Sequence, residues 1–212
     1  MKMNKSLQVV IDKKVERTVA ALRANNYEAH YITSQEELLA KVDEYAPPGA
    51  VCTVGGSMTL FEAGVIDRIK GNGCTYLDRY APGADTADIF RQAFFSDVYF
   101  TSSNAITEDG CLYNMDGNGN RAAAMIYGPK KVVVVAGFNK IVKTLEDARR
   151  RNREICAPAN NIRLNNPNPC AKTGYCVDCK TDTLICVTEV VHRRQRNKER
   201  VAVLILPESY GY

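Results

Sequence analysis

Four consecutive valines, Val132, Val133, Val134 and Val135, stand between two lysines and Gly137. A run this short, β-branched and without polar alternation predicts a strand covered on both faces, as in a parallel sheet. Similar short apolar runs recur at residues 29–32, 50–54, 74–77, 98–101 and 201–206. Between them the periodicity is helical. Leu7, Ile11, Val15, Thr18, Val19 and Leu22 fall on one face of a helix over residues 6–25. Ser34 with Glu37, and Thr59 with Glu62, have the spacing of capping boxes that open two further helices. Asp85 begins a fourth, with Ile89, Phe90, Ala93 and Phe94 turned inward. A fifth spans residues 118–127 and stops at Gly128-Pro129, and Thr144 with Asp147 opens a sixth. Gly110 separates residues 105–107 from 111–113 and predicts a small hairpin. Strands alternating with helices specify an α/β fold, a mainly parallel sheet flanked by helices.

After Cys156 the pattern changes. Residues 157–186 are rich in Asn, Pro and Cys and carry almost no apolar period, so they read as a Cys-rich appendage. The expected organisation is an α/β core over 1–156, the Cys-rich segment over 157–186, and closing strands over 187–212 that complete the core. A chain of 212 residues can bury one good-sized core.

The net charge is +4, and much of the excess lies in Arg149-Arg150-Arg151 and in residues 193–200. No aromatic residues interleave with these runs, so they read as solvated faces and no nucleic-acid partner is expected. The apolar start Val9-Val10-Ile11 is broken by Asp12, Lys13 and Lys14, which argues against a signal peptide. No stretch is long enough to span a bilayer. The expectation is a cytoplasmic protein without a membrane partner.

In a reducing compartment, eight cysteines argue for metal or redox chemistry rather than structural disulfides. Cys170, Cys176, Cys179 and Cys186 lie at spacings of five, two and six residues, a thiolate set that suits zinc or a [4Fe–4S] cluster. Spacing alone leaves both open, and the plain alternative is free or paired thiols. Cys52, Cys74 and Cys111 lie in or beside strands and read as core. Cys156, His30 and His192 receive no role.

Two segments carry candidate binding chemistry. Gly55-Gly56-Ser57-Met58-Thr59 is a strand end, a glycine turn and a helix start, suited to a phosphate or carboxylate through backbone N–H groups and the Ser57 and Thr59 hydroxyls. Its alternative reading is a tight turn with Thr59 as helix cap. Residues 101–121 hold Asn104, Glu108, Asn114, Asp116, Asn120 and Arg121, with Gly117 and Gly119 beside them. A carboxylate to handle protons and an Arg to fix an anion suit an oxyanionic substrate. Turn chemistry alone also uses Asn, Asp and Gly. Six such groups in one connection exceed what two turns require.

These segments resemble the lactate-utilisation (LUD) family. The resemblance rests on Ser103-Asn104-Ala105-Ile106-Thr107-Glu108-Asp109-Gly110, on Asn114-Met115-Asp116-Gly117-Asn118-Gly119-Asn120-Arg121, and on Ala136-Gly137-Phe138-Asn139-Lys140. Gly55-Gly56-Ser57 upstream and the terminal Gly211-Tyr212 also fit. The resemblance implies a fold like ribose-5-phosphate isomerase and the CoA transferases, and a role in a multi-protein system oxidising lactate to pyruvate. Among the polar groups of the central segment, Glu108, Asp116 and Asn104 are the catalytic candidates. The resemblance implies ligand contacts from Gly55, Gly56, Ser57, Thr59, Asn114, Gly117, Gly119, Asn120, Arg121, Gly137, Asn139 and Lys140. Redox company in the family favours iron–sulfur over zinc for the four cysteines. The implied partners are a small anionic molecule and other lactate-utilisation proteins, with a homo-oligomer left open. The same pattern also resembles methylthioribose-1-phosphate isomerase relatives, whose acidic residue near position 104 is Asn104 here. The alternative function is therefore a sugar-phosphate isomerase or CoA-transferase-like enzyme with structural zinc.

Overall fold

Residues 4–212 are described by a computed structural model. Helix α1 (Lys5–Ala24) leads into β1 (Glu28–Tyr31), and α2 (Gln35–Tyr45) into β2 (Val51–Val54). Helices α3 (Met58–Glu62) and α4 (Val65–Gly71) precede β3 (Thr75–Tyr76), and α5 (Thr86–Gln92) precedes β4 (Val98–Thr101). The hairpin β5 (Ala105–Thr107) and β6 (Leu112–Asp116) is followed by α6 (Asn120–Ile126), β7 (Lys131–Gly137) and β8 (Ile141–Val142). Helix α7 (Leu145–Arg151) runs through a π-helical turn, Asn152–Cys156, into α8 (Ala157–Arg163). Helix α9 (Pro169–Thr173), β9 (Thr188–His192) and β10 (Val201–Leu206) close the chain.

The central sheet has the order β1-β10-β7-β4-β2-β3, and every neighbouring pair is parallel. Because side chains alternate along a strand, β7 and β10 feed two cores at once. Val132, Val134 and Ala136 join Val201, Val203 and Ile205 on the face covered by Ile11, Val15, Val19 and Leu22 of α1. Val133 and Val135 join Ala202, Leu204 and Leu206 on the face covered by Leu38 and Val42 of α2 and by Ile66 and Ile69 of α4. Each fully buried aliphatic side chain contributes ~1.5–3 kcal/mol relative to exposure. The sheet therefore needs both helical layers, and the valine run is its centre.

A second sheet, β8-β5-β6-β9, packs beside the first. Its pairs β5–β6 and β6–β9 are antiparallel, and β5–β8 is parallel. The two last strands thus separate: β9 extends the small sheet, and β10 inserts between β1 and β7 of the large one. Residues 157–186 hold two short helices, α8 and α9. Ile89, Phe90 and Phe94, expected inward, are only half-buried, and Ala93 alone of that set is fully covered.

Several helices start at side-chain acceptors. Ser34 accepts from Glu37 N, and Thr144 and Asp147 form the expected capping box. The capping box expected at Thr59 and Glu62 is not made. Ser57 caps α3 instead, two residues earlier. Glu62 is drawn to the far end of the chain, where its Oε2 accepts from Gly211 N at 2.6 Å. Among the described residues no helix is long and apolar enough to cross a membrane.

Candidate functional site

In a parallel sheet all carboxyl ends point to one edge, and connections there frame ligand sites. The chain leaves β2 at Gly55, β4 at Ser102 and β7 toward Lys140. All three exits border a cavity of about 480 Å³, within the ordinary range for small-molecule sites. The end of β6 adds Asp116, the start of α6 adds Arg121, α8 adds Asn160 and Arg163, and the C-terminal Tyr212 closes one side. The glycine turn and the polar hairpin therefore converge on one hollow.

Arg121 holds this hollow together. Its Nε donates to Asp116 Oδ1 at 2.9 Å, and its Nη1 to Ser102 O at 3.0 Å and to Asn114 Oδ1. Its Nη2 donates to Asn104 Oδ1 at 2.7 Å and to Met115 O at 3.0 Å. A guanidinium has five N–H donors, and five protein acceptors meet them here. The sequence expectation of Arg121 as the anion clamp changes accordingly: Arg121 fixes the hairpin. Asp116 is equally engaged, because its Oδ2 accepts from Ala122 N at 2.6 Å. Asn104 spends its Oδ1 on Met115 N and Arg121. Of the three candidate catalytic residues, Asn104 and Asp116 line the cavity as supports. Glu108 lies outside it, with its carboxylate 3.9 Å from Lys14 Nζ and 3.6 Å from Arg17 Nη2 of α1.

The other candidates divide in the same way. Gly56, Ser57, Gly117, Asn120 and Lys140 line the cavity. Gly55, Thr59, Asn114, Gly119, Gly137 and Asn139 stand behind it. At Gly55 a Cβ would come within 2.8 Å of Thr101 Oγ1 and Tyr99 OH, so the turn needs a residue without one. Thr59 Oγ1 donates to Tyr210 O at 3.1 Å, and Asn139 Nδ2 to Gly211 O at 3.0 Å. Gly211 adopts φ +57°, a left-handed backbone that favours glycine, and a Cβ there would strike Thr59. These contacts carry Tyr212 over the cavity, where its OH meets Arg163 Nε at 2.7 Å and Asn160 Oδ1 at 3.1 Å. The helix behind the glycine turn has only five residues. Its dipole is correspondingly short, and charged side chains must supply most of the attraction for an anion.

The lining contains four cationic groups, Arg79, Arg121, Lys140 and Arg163, against two carboxylates, Asp116 and Asp182. Arg79 Nε is buried without a hydrogen-bond partner among the described residues, and its guanidinium lies 4.6 Å from the Phe90 ring centroid. Lys140 is 4% exposed and donates to Ser102 Oγ at 3.1 Å. Burial, and then the charges of Arg151 and Arg121, pull its ammonium down to about 7, against the opposing pull of Cys156 and Glu62.

Sequence reasoning missed Arg79, Arg151, Arg163 and Cys156. Arg151 belongs to a run that reads as a solvated face, yet it is buried beside Ala148, three residues away on the same side of α7. It donates to Asn139 O at 3.1 Å, Asn104 O at 2.7 Å and Cys156 Sγ at 2.7 Å. Helical phase within the run was the available signal. Cys156 ends the π-helical turn and faces the cavity. Such turns are frequent at functional sites.

Cys170, Cys176, Cys179 and Cys186 all border a second cavity of about 240 Å³. All eight cysteines are free thiols. Asn161 Nδ2 donates to Cys170 Sγ at 3.2 Å, and Asp178 N to Cys176 Sγ at 3.4 Å. Burial pushes the Cys186 thiol up to about 11, opposed by Asn152 and reinforced by the other three thiols. Among the described residues no three His, Cys, Asp or Glu side chains converge on a single ion position. Ala157, Leu184 and Cys186 border both cavities, so one wall separates the anion hollow from the thiol cavity.

The LUD domain family matches residues 15–206, a span that contains the thiol cavity and all of the central cavity's lining but Tyr212. No curated protein matches the chain. Among solved structures, a DUF162 family protein from Deinococcus radiodurans is similar at 14% identity, covering 94% of this chain and 98% of that one, with a TM-score of 0.46. The eIF2B beta structure from Chaetomium thermophilum is similar at 10% identity over 53% of this chain and 44% of that one, with a TM-score of 0.39.

Proposed function

This chain belongs to the LUD domain family, and from that premise we propose that it is a component of a redox system acting on lactate or a related 2-hydroxy acid. The central cavity takes a small carboxylate, held by Arg79 and Arg163 with Lys140 at its floor. Cys170, Cys176, Cys179 and Cys186 take a [4Fe–4S] cluster. The observation that carries this reading is the shared wall: four thiols around one cavity, with Cys186 also facing the anion hollow.

The residues of the second cavity fit such a group. Four thiol ligands suffice for a cluster, and N–H donors to Cys170 and Cys176 stabilise thiolate charge. When bound, a cluster would supply one-electron transfer. The protein's own part is to seat the anion and to keep its reacting end beside that wall. Electron partners would be other proteins of the same system, in the cytoplasm, and the fold would be kin to ribose-5-phosphate isomerase and the CoA transferases. A sugar-phosphate isomerase or CoA-transferase-like enzyme with structural zinc is the competing reading. It calls on Glu108 or Asp116 as a free carboxylate, whereas Glu108 lies outside the cavity and Asp116 is engaged at both oxygens.

Anaerobic purification followed by iron, sulfide and zinc quantification tests the metal assignment. Thermal shift with lactate, pyruvate and phosphate tests the cavity, since a ligand of the native state raises its stability. The expected result is a brown iron–sulfur protein that small carboxylates stabilise. A colourless protein with one zinc per chain would remove the electron-transfer role, and indifference to every small anion would remove the cavity assignment.

A further inference from the structure

Lys140 is costly to bury, and no carboxylate pairs with it directly among the described residues. Among the described residues its ammonium has Ser102 Oγ as hydrogen-bond partner and no carboxylate in ion-pair contact. Arg151 and Arg121 add like charge beside it. Burying a lysine without a direct counter-charge costs stability and favours the neutral amine, and such groups in a cleft cluster at functional sites. Desolvation next to other cations is also the arrangement that turns a lysine into a nucleophile. The amine borders the same hollow as Arg79 and Arg163, cations suited to a carboxylate.

We propose that Lys140 is a carbonyl-capturing residue: its Nζ condenses with the ketone carbon of a 2-oxo acid seated in the central cavity. The amine lone pair forms the C–N bond, the carbonyl oxygen leaves as water with the two amine protons, and a neutral imine remains. No oxidant or reductant is needed. Ser102 Oγ, 3.1 Å from Nζ, orients the amine. The acid's carboxylate faces Arg79 and Arg163, which directs its adjacent carbonyl toward the cavity floor. This inference rests on the reading of the cavity as a carboxylate site.

At neutral pH an ammonium drawn down to about 7 leaves a fraction of free amine roughly a thousandfold larger than that of an ordinary lysine. The groups facing it are Arg151, Arg121, Cys156 and Glu62. Arginines stay charged, so capture should rise with pH through the neutral range and then level off.

The test is reductive trapping. Anaerobically purified protein is incubated with pyruvate and sodium cyanoborohydride, and the adduct is located by intact mass and peptide mapping. One equivalent of reduced adduct at Lys140 is expected, with lactate, which lacks a carbonyl, giving none. Lys140→Arg should lose the adduct. The map on the unaltered protein decides the matter even where the variant folds poorly. Labelling scattered over surface lysines, or no labelling, overturns the inference. If small carboxylates stabilise the protein and no adduct forms, the inference falls alone. If they neither stabilise nor label it, the cavity assignment falls with it.

Discussion

In the central cavity the walls are fixed from within: Arg121 alone reaches five acceptors contributed by residues from 102 to 116. In the thiol cavity next door, Cys176 Sγ accepts one backbone N–H at 3.4 Å, and the loop around it is exposed at Tyr175, Val177 and Asp178. The two share a wall but not a principle of construction. The first is pre-organised by protein–protein hydrogen bonds before any ligand arrives. The second places four thiols around a space and leaves their final order to what they bind, as metal sites commonly do. Perturbing one should therefore leave the other largely intact.

The largest effect is expected from the paired substitution Cys176→Ser and Cys179→Ser. Two of the four proposed ligands disappear, so the cluster absorbance expected of anaerobic preparations should vanish. Hydrogen exchange over residues 170–186 should quicken, because a weakly bonded loop opens locally. Stabilisation by small carboxylates should persist. If it vanished as well, the two sites would be one cooperative unit and the contrast would be wrong.

Arg121→Ala comes next. It strands Asp116 at 8% side-chain exposure and removes the donor that the hairpin's acceptors share. Breaking a buried pair by removing one partner costs about 3–5 kcal/mol. Urea denaturation should show a loss of that size, with iron content per folded chain preserved. A cost below about 1 kcal/mol, the level of an exposed pair, would mean the hairpin is held by something else.

Gly55→Ala probes the same rigidity from the other side of the cavity. The new methyl would sit 2.8 Å from both Thr101 Oγ1 and Tyr99 OH, two buried groups. Overpacking of this kind costs about 1–3 kcal/mol. Thermal denaturation should show the loss, and a neutral result would show that this rim gives way.

Lys140 supplies a pH-dependent handle on the pre-organised site. Its folded value, about 7, lies below that of a lysine in the unfolded chain. Between the two, the unfolded chain holds a proton that the folded one has released, so folding stability rises with pH across that window. One proton sets a slope of little more than about 1 kcal/mol per pH unit. Lys140→Met should flatten the rise in melting temperature from neutral to mildly alkaline pH. An unchanged slope would show that Lys140 keeps its proton when folded.

The same contrast explains what could be read from the sequence. Two-sided burial of the valine strand, the Ser34 cap and the Gly110 turn are local, and each is decided within a few residues. The convergence of residues 55–57 with 104–121 was legible because parallel strands bring their carboxyl ends together. The use of each polar group was not, because it depends on partners far along the chain. Glu62 is claimed by Gly211, 149 residues away, so the capping box at Thr59 never forms. Arg151 is claimed by Asn104 O, and Cys156 enters the cavity through a π-helical turn that no periodicity announces. Arg79 and Arg163 sit in segments with no motif. Long-range competition for donors and acceptors, not secondary structure, decided which residues face the hollow.

Glu108→Gln should have the smallest effect, and it sharpens the boundary of the cavity. Glu108 faces α1, at 3.9 Å from Lys14 and 3.6 Å from Arg17, with about a third of its side chain exposed. Pairs of that length and exposure contribute about 0–1 kcal/mol. The position looks catalytic in sequence because it follows Ser-Asn-Ala-Ile-Thr, but the hairpin turns it away from Asn104 and Asp116. The Gln variant should keep its stability to within about 0.5 kcal/mol, its iron content, its response to small carboxylates and its labelling by pyruvate. Loss of any ligand response in this variant would mean that the hairpin swings Glu108 inward when the site fills, and the cavity would then not be pre-organised.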